Sequence, residues 1–196
     1  MSTIYVANHI TLDGVMQSPG RPDEDTRDGF SLGGWATAGS NDEVTAALGR
    51  RATDAGGMRL LLGHRSYDEM LSHWNTVGGP FKDGLNGAQK FVVSRSASTT
   101  LPWPNSTLVS GGAPAIADLR AQDGPDLCVM GSGVLIRTLL EHRLVDELLL
   151  FIHPLVLGAG RRLFPDAGAA TEWELVSSSA ASTGVLIGHY RPAPPR

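Results

Sequence analysis

The stretch Val129-Met130-Gly131-Ser132-Gly133-Val134-Leu135-Ile136-Arg137-Thr138 predicts a strand that turns directly into a helix. An apolar run from Leu127 to Met130 reaches a turn of small residues, and an amphipathic run then continues to Glu141. A helix that begins this way presents amides without partners and the positive end of its dipole, and glycines let a phosphate approach closely. Residues 131–135 are therefore candidates for binding a phosphorylated ligand, a dinucleotide first among them. The alternative is a tight turn that binds nothing.

The composition indicates one globular domain, which we place at residues 1–191, followed by a frayed proline-rich tail at 192–196. Because the net charge is −4, neither nucleic acid nor an anionic membrane surface is favoured as a partner. The N-terminal residues lack the pattern of a leader, and no apolar stretch is long enough to span a membrane, so we expect a cytoplasmic protein. The lone Cys128 is expected to be a small buried hydrophobe, and no metal site is predicted.

Strand and helix patterns alternate along most of the chain. The predicted strands are Ile4 to Ile10, Met58 to Leu62, Phe91 to Val93, Thr107 to Val109, Leu127 to Met130 and Val145 to Ile152. The predicted helices are one capped by Ser40 or Asn41 and ending near Asp54, then Ser66 to Trp74, Phe81 to Gln89, Ala113 to Ala121, and the run from Gly133 to Glu141. This alternation favours an α/β fold, a mainly parallel sheet with helices on both faces.

The C-terminal region departs from this pattern. Two strands, Trp173 to Ser179 and Val185 to Arg191, are close enough in sequence to pair as a hairpin, so the sheet is expected to be mixed with an antiparallel C-terminal edge. Residues 11–40 are long, irregular and rich in glycine, which is typical of a functional loop.

The glycine turn does not complete a standard nucleotide motif. Ile136 stands where a Rossmann fingerprint has its third glycine, and the turn comes late in the chain. The sequence has neither a Gly-Lys-Ser/Thr phosphate loop nor a Gly-x-Ser-x-Gly nucleophile elbow. These absences disfavour Rossmann enzymes, phosphate-loop nucleotidases and α/β-hydrolases.

Two other strand ends carry side chains that suit a phosphate. Leu62-Gly63-His64-Arg65-Ser66 and Val93-Ser94-Arg95-Ser96 each place an arginine and hydroxyls after a strand, where ligands bind in open parallel sheets. The alternatives are a helix cap for Ser66 and solvated surface positions for both arginines.

Five blocks of sequence, in order along the chain, resemble one family. The chain is similar to the dihydrofolate reductase-like proteins, which adopt a three-layer α-β-α fold, in the branch containing the reductase domain of the bifunctional riboflavin-biosynthesis deaminase-reductases. The blocks are Thr11 to Gly14, Leu61 to Tyr67, Lys90 to Arg95, Gly131 to Gly133, and Leu139 to Phe164.

The resemblance implies that the chain binds NADPH. Gly131, Ser132, Gly133, Val134 and Leu135 would hold the pyrophosphate. The turn at Gly63, His64, Arg65 and Ser66, together with Ser94 and Arg95, would hold the adenosine ribose and its 2′-phosphate. Ala7, with the loop at Asp13 and Gly14, would flank the nicotinamide. His64 replaces the usual arginine of the family, which leaves Arg65 as the main cation of its turn.

The resemblance also bears on chemistry, oligomeric state and partners. The cytidine-deaminase-type zinc motif is absent, so the chain does not carry the deaminase half. Related reductase domains pair, which leaves a homodimer open. A small molecule is the expected partner.

The proton donor and the substrate pocket are the least determined parts of the site. Asp13, beside the expected nicotinamide, is the first candidate for the donor, with an Asp-Gly turn as the alternative. Trp35, Glu43 and Tyr67 are candidates for the substrate pocket, although such aromatics often belong to the core. His9 and His153, on apolar strands, are expected to be structural.

The sequence thus predicts an NADPH-dependent reductase of a small pteridine-, pyrimidine- or imine/carbonyl-like substrate. The alternative is a non-catalytic module of the same fold that binds NADPH or a flavin.

Overall fold

The computed structural model describes residues 1–54, 56–57, 59–164 and 170–194. This part of the chain contains eight strands: β1 (Ile4–Thr11), β2 (Arg59–Gly63), β3 (Gln89–Val93), β4 (Ser106–Val109), β5 (Leu127–Val129), β6 (Glu147–His153), β7 (Trp173–Ala180) and β8 (Leu186–Pro192). It also contains five α-helices: α1 (Asp42–Asp54), α2 (His64–Val77), α3 (Pro80–Gly87), α4 (Gly112–Ala121) and α5 (Gly133–Glu141). Met58, the predicted start of the second strand, lies outside the described residues.

The strands form one mixed sheet in the order β4-β3-β2-β5-β1-β6-β8-β7. The six strands from β4 to β6 run parallel, whereas β8 pairs antiparallel with both β6 and β7. The predicted α/β class, with a mainly parallel sheet and an antiparallel C-terminal edge, is confirmed.

Two apolar cores lie on opposite faces of the sheet, which accounts for three layers. Helices α4 and α5 bury Ile116 and Ile136 in one core, and helices α1, α2 and α3 bury Val44, Leu71 and Leu85 in the other. Buried strands read as continuous apolar runs because both of their faces are covered, as Leu60 to Leu62 illustrate. Cys128 is fully buried, and burial raises the pKa of its thiol to about 12.

Hydrogen bonds explain where two of the predicted helices begin. Asn41 Oδ1 accepts the amide of Val44, which confirms it as the cap of α1. Helix α2 starts at His64, two residues before the predicted start at Ser66. The Ser66 hydroxyl accepts an amide from a distant turn instead of capping its own helix.

The predicted boundaries also shift by one or two residues at several strands, and two of these shifts involve neighbouring elements. Gln89, expected at the end of α3, begins β3. The expected tail begins later than predicted, because Pro192 still belongs to β8 and the Ala193 amide donates to the carbonyl of Glu172.

The long segment between β1 and α1 is irregular, as predicted, with only two single-turn 3₁₀ helices at Arg27–Gly29 and Thr37–Gly39. It is tied to the turn after β6 by a bridge between Val15 and Arg162. None of the described helices is long and apolar enough to cross a membrane. Among the described residues, no group of three or more His, Cys, Asp or Glu side chains could hold a metal ion.

Candidate functional site

The sheet opens between β1 and β5, and a cleft forms there. Strand β5 pairs with β1 only as far as Val6 and Val129, whereas β6 pairs with β1 as far as Thr11. Beyond Val6 one edge of β1 is therefore free of strand partners. A cleft of about 560 Å³ follows, lined by Ala7, Asn8 and His9 of β1. Its position at the carboxyl ends of parallel strands is where open α/β sheets bind ligands.

The turn Gly131-Ser132-Gly133, which we call the glycine turn, is fixed by side chains of β1 and α2 and by its own Ser132 side chain. Asn8 Oδ1 accepts the Gly131 amide at 2.8 Å, and Asn8 Nδ2 donates to the Gly131 carbonyl at 3.2 Å. Ser66 Oγ accepts the Ser132 amide at 2.8 Å, and Ser132 Oγ accepts the Gly63 amide at 3.0 Å. These bonds connect β1, the end of β2 and the turn after β5 beneath the cleft.

The same bonds refine the predicted phosphate site. The amides of Gly131 and Ser132 are already paired, so they are not available to a ligand. Helix α5 begins at Gly133, and its first amides, on Gly133, Val134 and Leu135, have no acceptor within the helix. A phosphate at this end of the cleft would meet these three amides and the positive end of the α5 dipole.

Close approach to the turn depends on glycine. Gly131 has a φ of +59°, and a Cβ added there would lie 3.3 Å from Ser66 Oγ. A Cβ on Gly133 would lie 2.9 Å from Met16 Sδ. The backbone, the amides and the nearby Ser66 hydroxyl therefore fit a pyrophosphate, and any larger residue at 131 would disturb them.

The cleft brings together about half of the predicted cofactor residues: Ala7, Arg65, Ser66, Gly131, Ser132, Gly133 and Val134. The others do not line it. Leu135 is buried beneath it. Gly14 lies in the turn after β1, and Gly63 is the last residue of β2. His64 pairs with Asp68 at 3.2 Å, Ser94 bonds to Thr99, and Arg95 is exposed.

The cleft is also lined by five apolar side chains, which we call the apolar wall: Leu48, Met70, Trp74, Phe81 and Phe151. The segment 16–27 contributes polar and charged side chains to the lining. Arg21 of this segment is 3.7 Å from Glu69 of α2, an ion pair that links the segment to the wall. The sequence did not identify the wall, because its members come from α1, α2, α3 and β6.

The three residues predicted for the substrate pocket lie elsewhere. Tyr67 is fully buried, and its hydroxyl accepts the Trp103 amide and bonds to Ser106 Oγ, which makes it a core residue. Trp35 donates through Nε1 to the Gln17 carbonyl and packs edge-on against His153. It therefore stabilises the segment between β1 and α1 without lining the cleft. Glu43 is exposed and accepts the amide and hydroxyl of Ser182.

Asp13 is also outside the cleft. Its carboxylate accepts the Thr11 hydroxyl at 2.6 Å and the amides of Leu157 and Gly158. These bonds, the Thr11 hydroxyl first, lower the pKa of Asp13 to about 2. A carboxyl group that is ionised at neutral pH and bonded to a turn braces the loop, and this argues against Asp13 as the proton donor.

His9, expected to be structural, lines the cleft. Its Nδ1 lies 2.8 Å from Nε2 of the buried His153, and its ring stacks on Phe151 with centroids 4.9 Å apart. Burial and the neighbouring His153 lower the pKa of His9 to about 4. The alternation of a strand was the available signal, since Ala7 and His9 must share one face of β1.

Comparison with known proteins agrees with this geometry. The model of the RibD C-terminal domain matches residues 2–187. An uncharacterised protein of Bacillus subtilis (strain 168), YyaP, is 38% identical over 68 residues. That match spans 35% of this chain and 36% of the relative.

Three solved structures share the fold over nearly the whole chain. A putative riboflavin biosynthesis protein from Shewanella sp. PV-4 has a TM-score of 0.68 at 21% identity, with 98% of this chain and 99% of that chain covered. A pyrimidine reductase-like protein from Corynebacterium diphtheriae has a TM-score of 0.64 at 13% identity, covering 99% and 93%. Dihydrofolate reductase from Enterococcus faecalis, complexed with NADP(H) and RAB-propyl, has a TM-score of 0.62 at 12% identity, covering 98% and 97%. The fold is thus dihydrofolate reductase-like, and the chain belongs to the RibD C-terminal domain family.

Proposed function

We propose that this chain is an NADPH-dependent reductase that transfers a hydride to a small unsaturated substrate. The observation that carries the proposal is the cleft beside β1, β2 and β5, which is lined by Arg65 and by Gly133 and Val134, the first two residues of α5, whose amides have no acceptor within the helix. Family membership supports the same reading. NADPH, when bound, supplies the hydride.

The residues of the chain would divide the work of binding. The amides of Gly133, Val134 and Leu135 would hold the pyrophosphate. Arg65, exposed at the start of α2, would hold the 2′-phosphate, because a guanidinium pairs well with a phosphate dianion. The small side chain of Ala7 leaves room for a flat ring against β1.

The cleft also bears on the class of substrate. Leu48 is the only residue of α1 that lines it, so this helix provides no carboxylate to grip the cationic edge of a pterin. Among the described residues, three carboxylates line it, and each is engaged: Glu24 by the Gly20 amide, Asp25 by Arg27, and Glu69 by Arg21. Together with the apolar wall, this favours a flat, uncharged carbonyl- or imine-containing substrate over a folate.

The test is a turnover assay with a broad panel of aromatic ketones, quinones, cyclic imines and dihydropteridines. The measured signal is the loss of nicotinamide absorbance. We expect oxidation of NADPH with one or more carbonyl or imine compounds and none with dihydrofolate. A protein that binds NADPH but oxidises it with no member of the panel would instead be the non-catalytic module. A purified protein that is yellow would indicate a flavin in the cleft.

A further inference from the structure

Within the described part of the chain, His9 lines the cleft and pairs with the buried His153, and neither histidine has an assigned task. His153 is 1% exposed, and Trp35 and Phe151 pack around the two rings. A purely structural histidine would use both ring nitrogens inside the protein. His9 uses Nδ1 for His153, whereas none of the described residues bonds to its Nε2, and His9 lines the cleft.

The position of His9 along β1 places it next to the proposed reaction site. Side chains two residues apart on a strand lie on the same face, about 7 Å apart. Ala7 and His9 therefore line the cleft side by side, and Asn8 between them, which also lines it, holds Gly131. If a nicotinamide ring lies against Ala7, the substrate that receives the hydride lies within reach of His9.

The other charged groups of the cleft are less suitable proton donors. Its three carboxylates are each held by a cation or by backbone amides, as described above. The other titratable side chains described as lining the cleft lie in the segment 16–27, on α2, on α5 and in the turn after β6: Arg21, Arg27, Arg65, His73, Arg137 and Arg161. His73 lies on α2, where its ring packs edge-on against Trp74, and not beside Ala7 on β1. Arginines do not release protons in this pH range. Among these groups, the one whose charge acts appreciably on His9 is His153.

We propose that His9 is the proton donor of the reductase, with His153 as the positioning residue that shares its proton. The inference rests on the proposed function. In the active state the pair carries one extra proton, so that His9 has N–H on both nitrogens or shares one with His153. The substrate is reduced by two electrons as it accepts the hydride from NADPH. At the adjacent heteroatom, the His9 Nε2–H bond breaks and a new bond to hydrogen forms.

The same step restores the pair to neutrality. His9 keeps the bridging proton on Nδ1, His153 Nε2 accepts it in a hydrogen bond, and His153 keeps its own proton on Nδ1. Solvent then returns one proton to the pair. Since burial disfavours the charged pair, kcat/KM is expected to fall as the pH rises above the pKa of the pair, about tenfold for each pH unit.

The activity experiment compares wild type with His9→Gln, which keeps a hydrogen bond to His153 but cannot act as an acid. His142→Gln is the matched control, because His142 is an exposed histidine beyond the end of α5. With the best compound of the panel, we expect His9→Gln to lower kcat at least about a hundredfold and to change the Kd of NADPH less than threefold. The control should change neither quantity.

A second readout does not depend on turnover. Nitrogen NMR of the histidine side chains, in the complex with NADP⁺, should show His9 titrating well below its ordinary pKa. In His153→Gln the pKa of His9 should rise, because the neighbouring charge is gone. A pKa of His9 that is the same in His153→Gln as in wild type, or an Nε2 signal bonded within the protein, would overturn the proposal.

The two proposals fail in different ways. Full activity in His9→Gln would overturn the role of His9 and leave the reductase intact. Absence of NADPH binding or turnover in wild type would contradict the proposed function, and the NMR titration would still decide whether His9 has the properties of the acid.

Discussion

The glycine turn and the apolar wall line the same cleft, but they are built differently. The turn is a stretch of backbone whose amides at Gly131 and Ser132 are bonded to the side chains of Asn8 and Ser66. The wall consists of large side chains from four elements, and the Arg21–Glu69 ion pair links the segment 16–27 to α2, one of these elements. Exposed ion pairs of this kind contribute between nothing and about 1 kcal/mol.

This difference suggests a division between a part of the site that binds the cofactor and a part that selects the substrate. A turn fixed by internal hydrogen bonds presents the same amides to any ligand that carries a pyrophosphate. The wall is made of side chains and is linked to the segment 16–27 by an exposed ion pair, so its shape changes with each substitution. We infer that cofactor binding is determined by the turn and substrate choice by the wall, and three predictions test that division.

The largest expected effect is a loss of folding stability in acid. It arises from His9, whose ring stacks on Phe151 of the apolar wall. The pKa of His9 is about 4 in the folded chain and about 6.5 when unfolded, so the unfolded chain binds more protons between these values. Stability is therefore complete above pH 6.5 and falls by about 3 kcal/mol as the pH drops to 4. Urea unfolding at pH 7 and pH 4.5 measures the difference.

The His9→Gln variant should reduce this dependence but not abolish it, because burial also lowers the pKa of His153, whereas His142→Gln should keep it in full. The lowered pKa of Asp13 does not interfere, because its contribution is lost only below about pH 4, outside the histidine window. The glycine turn, with Asn8 and Ser66, has no titratable side chain. Equal pH dependence in wild type and His9→Gln would show that the acid-sensitive group lies elsewhere.

The next effect concerns the turn itself. Replacing Gly131 by valine forces a branched side chain into a left-handed conformation and against Ser66, which should cost about 2 kcal/mol of stability. Because the neighbouring amides shift, the Kd of NADPH should rise at least about tenfold. Calorimetric titration and urea unfolding measure the two quantities.

The matched control is Gly49→Ala in α1, where an added Cβ meets no atom within 4 Å and φ is not positive. It should leave NADPH binding unchanged and raise stability by about 0.5–1 kcal/mol. Unchanged NADPH affinity in Gly131→Val would disprove the role of the turn in cofactor binding.

The smallest expected effect concerns Arg65 and the 2′-phosphate, which NADPH carries and NADH lacks. Arg65→Ala should raise the Kd of NADPH about tenfold and that of NADH less than twofold, because NADH has no 2′-phosphate. Arg95→Ala should have a weaker effect, since Arg95 does not line the cleft. The exposed Arg50 of α1 provides the control. Equal losses for NADPH and NADH in Arg65→Ala would remove the 2′-phosphate assignment.

Much of the fold could be predicted because local patterns determine it. The apolar run Leu60 to Leu62, the Asn41 cap and the glycine turn each specify their own conformation. The hairpin at the end followed from the short distance between two strands. Boundaries were less certain where a side chain bonds far along the chain, as Ser66 does with Ser132.

The site was harder to predict where residues meet only through the fold. Tyr67 shares the buried face of α2 with Leu71, one turn later, so helical periodicity already favoured the core. Asp13 bonds to amides more than 140 residues away in sequence, and no local pattern carries that information. The pairing of His9 with His153 is set by the parallel register of β1 and β6, which the sequence alone does not reveal.

The central claim is that the cleft binds NADPH through the amides at the start of α5. Titration of NADPH into the protein at near-physiological salt tests it directly, with the fluorescence of tryptophan as the signal, since Trp74 lines the cleft. We predict saturable quenching at one site with a Kd on the order of micromolar, weakened at least about tenfold in Gly131→Val. No saturable change up to millimolar NADPH, or equal affinity in the variant, would contradict the account.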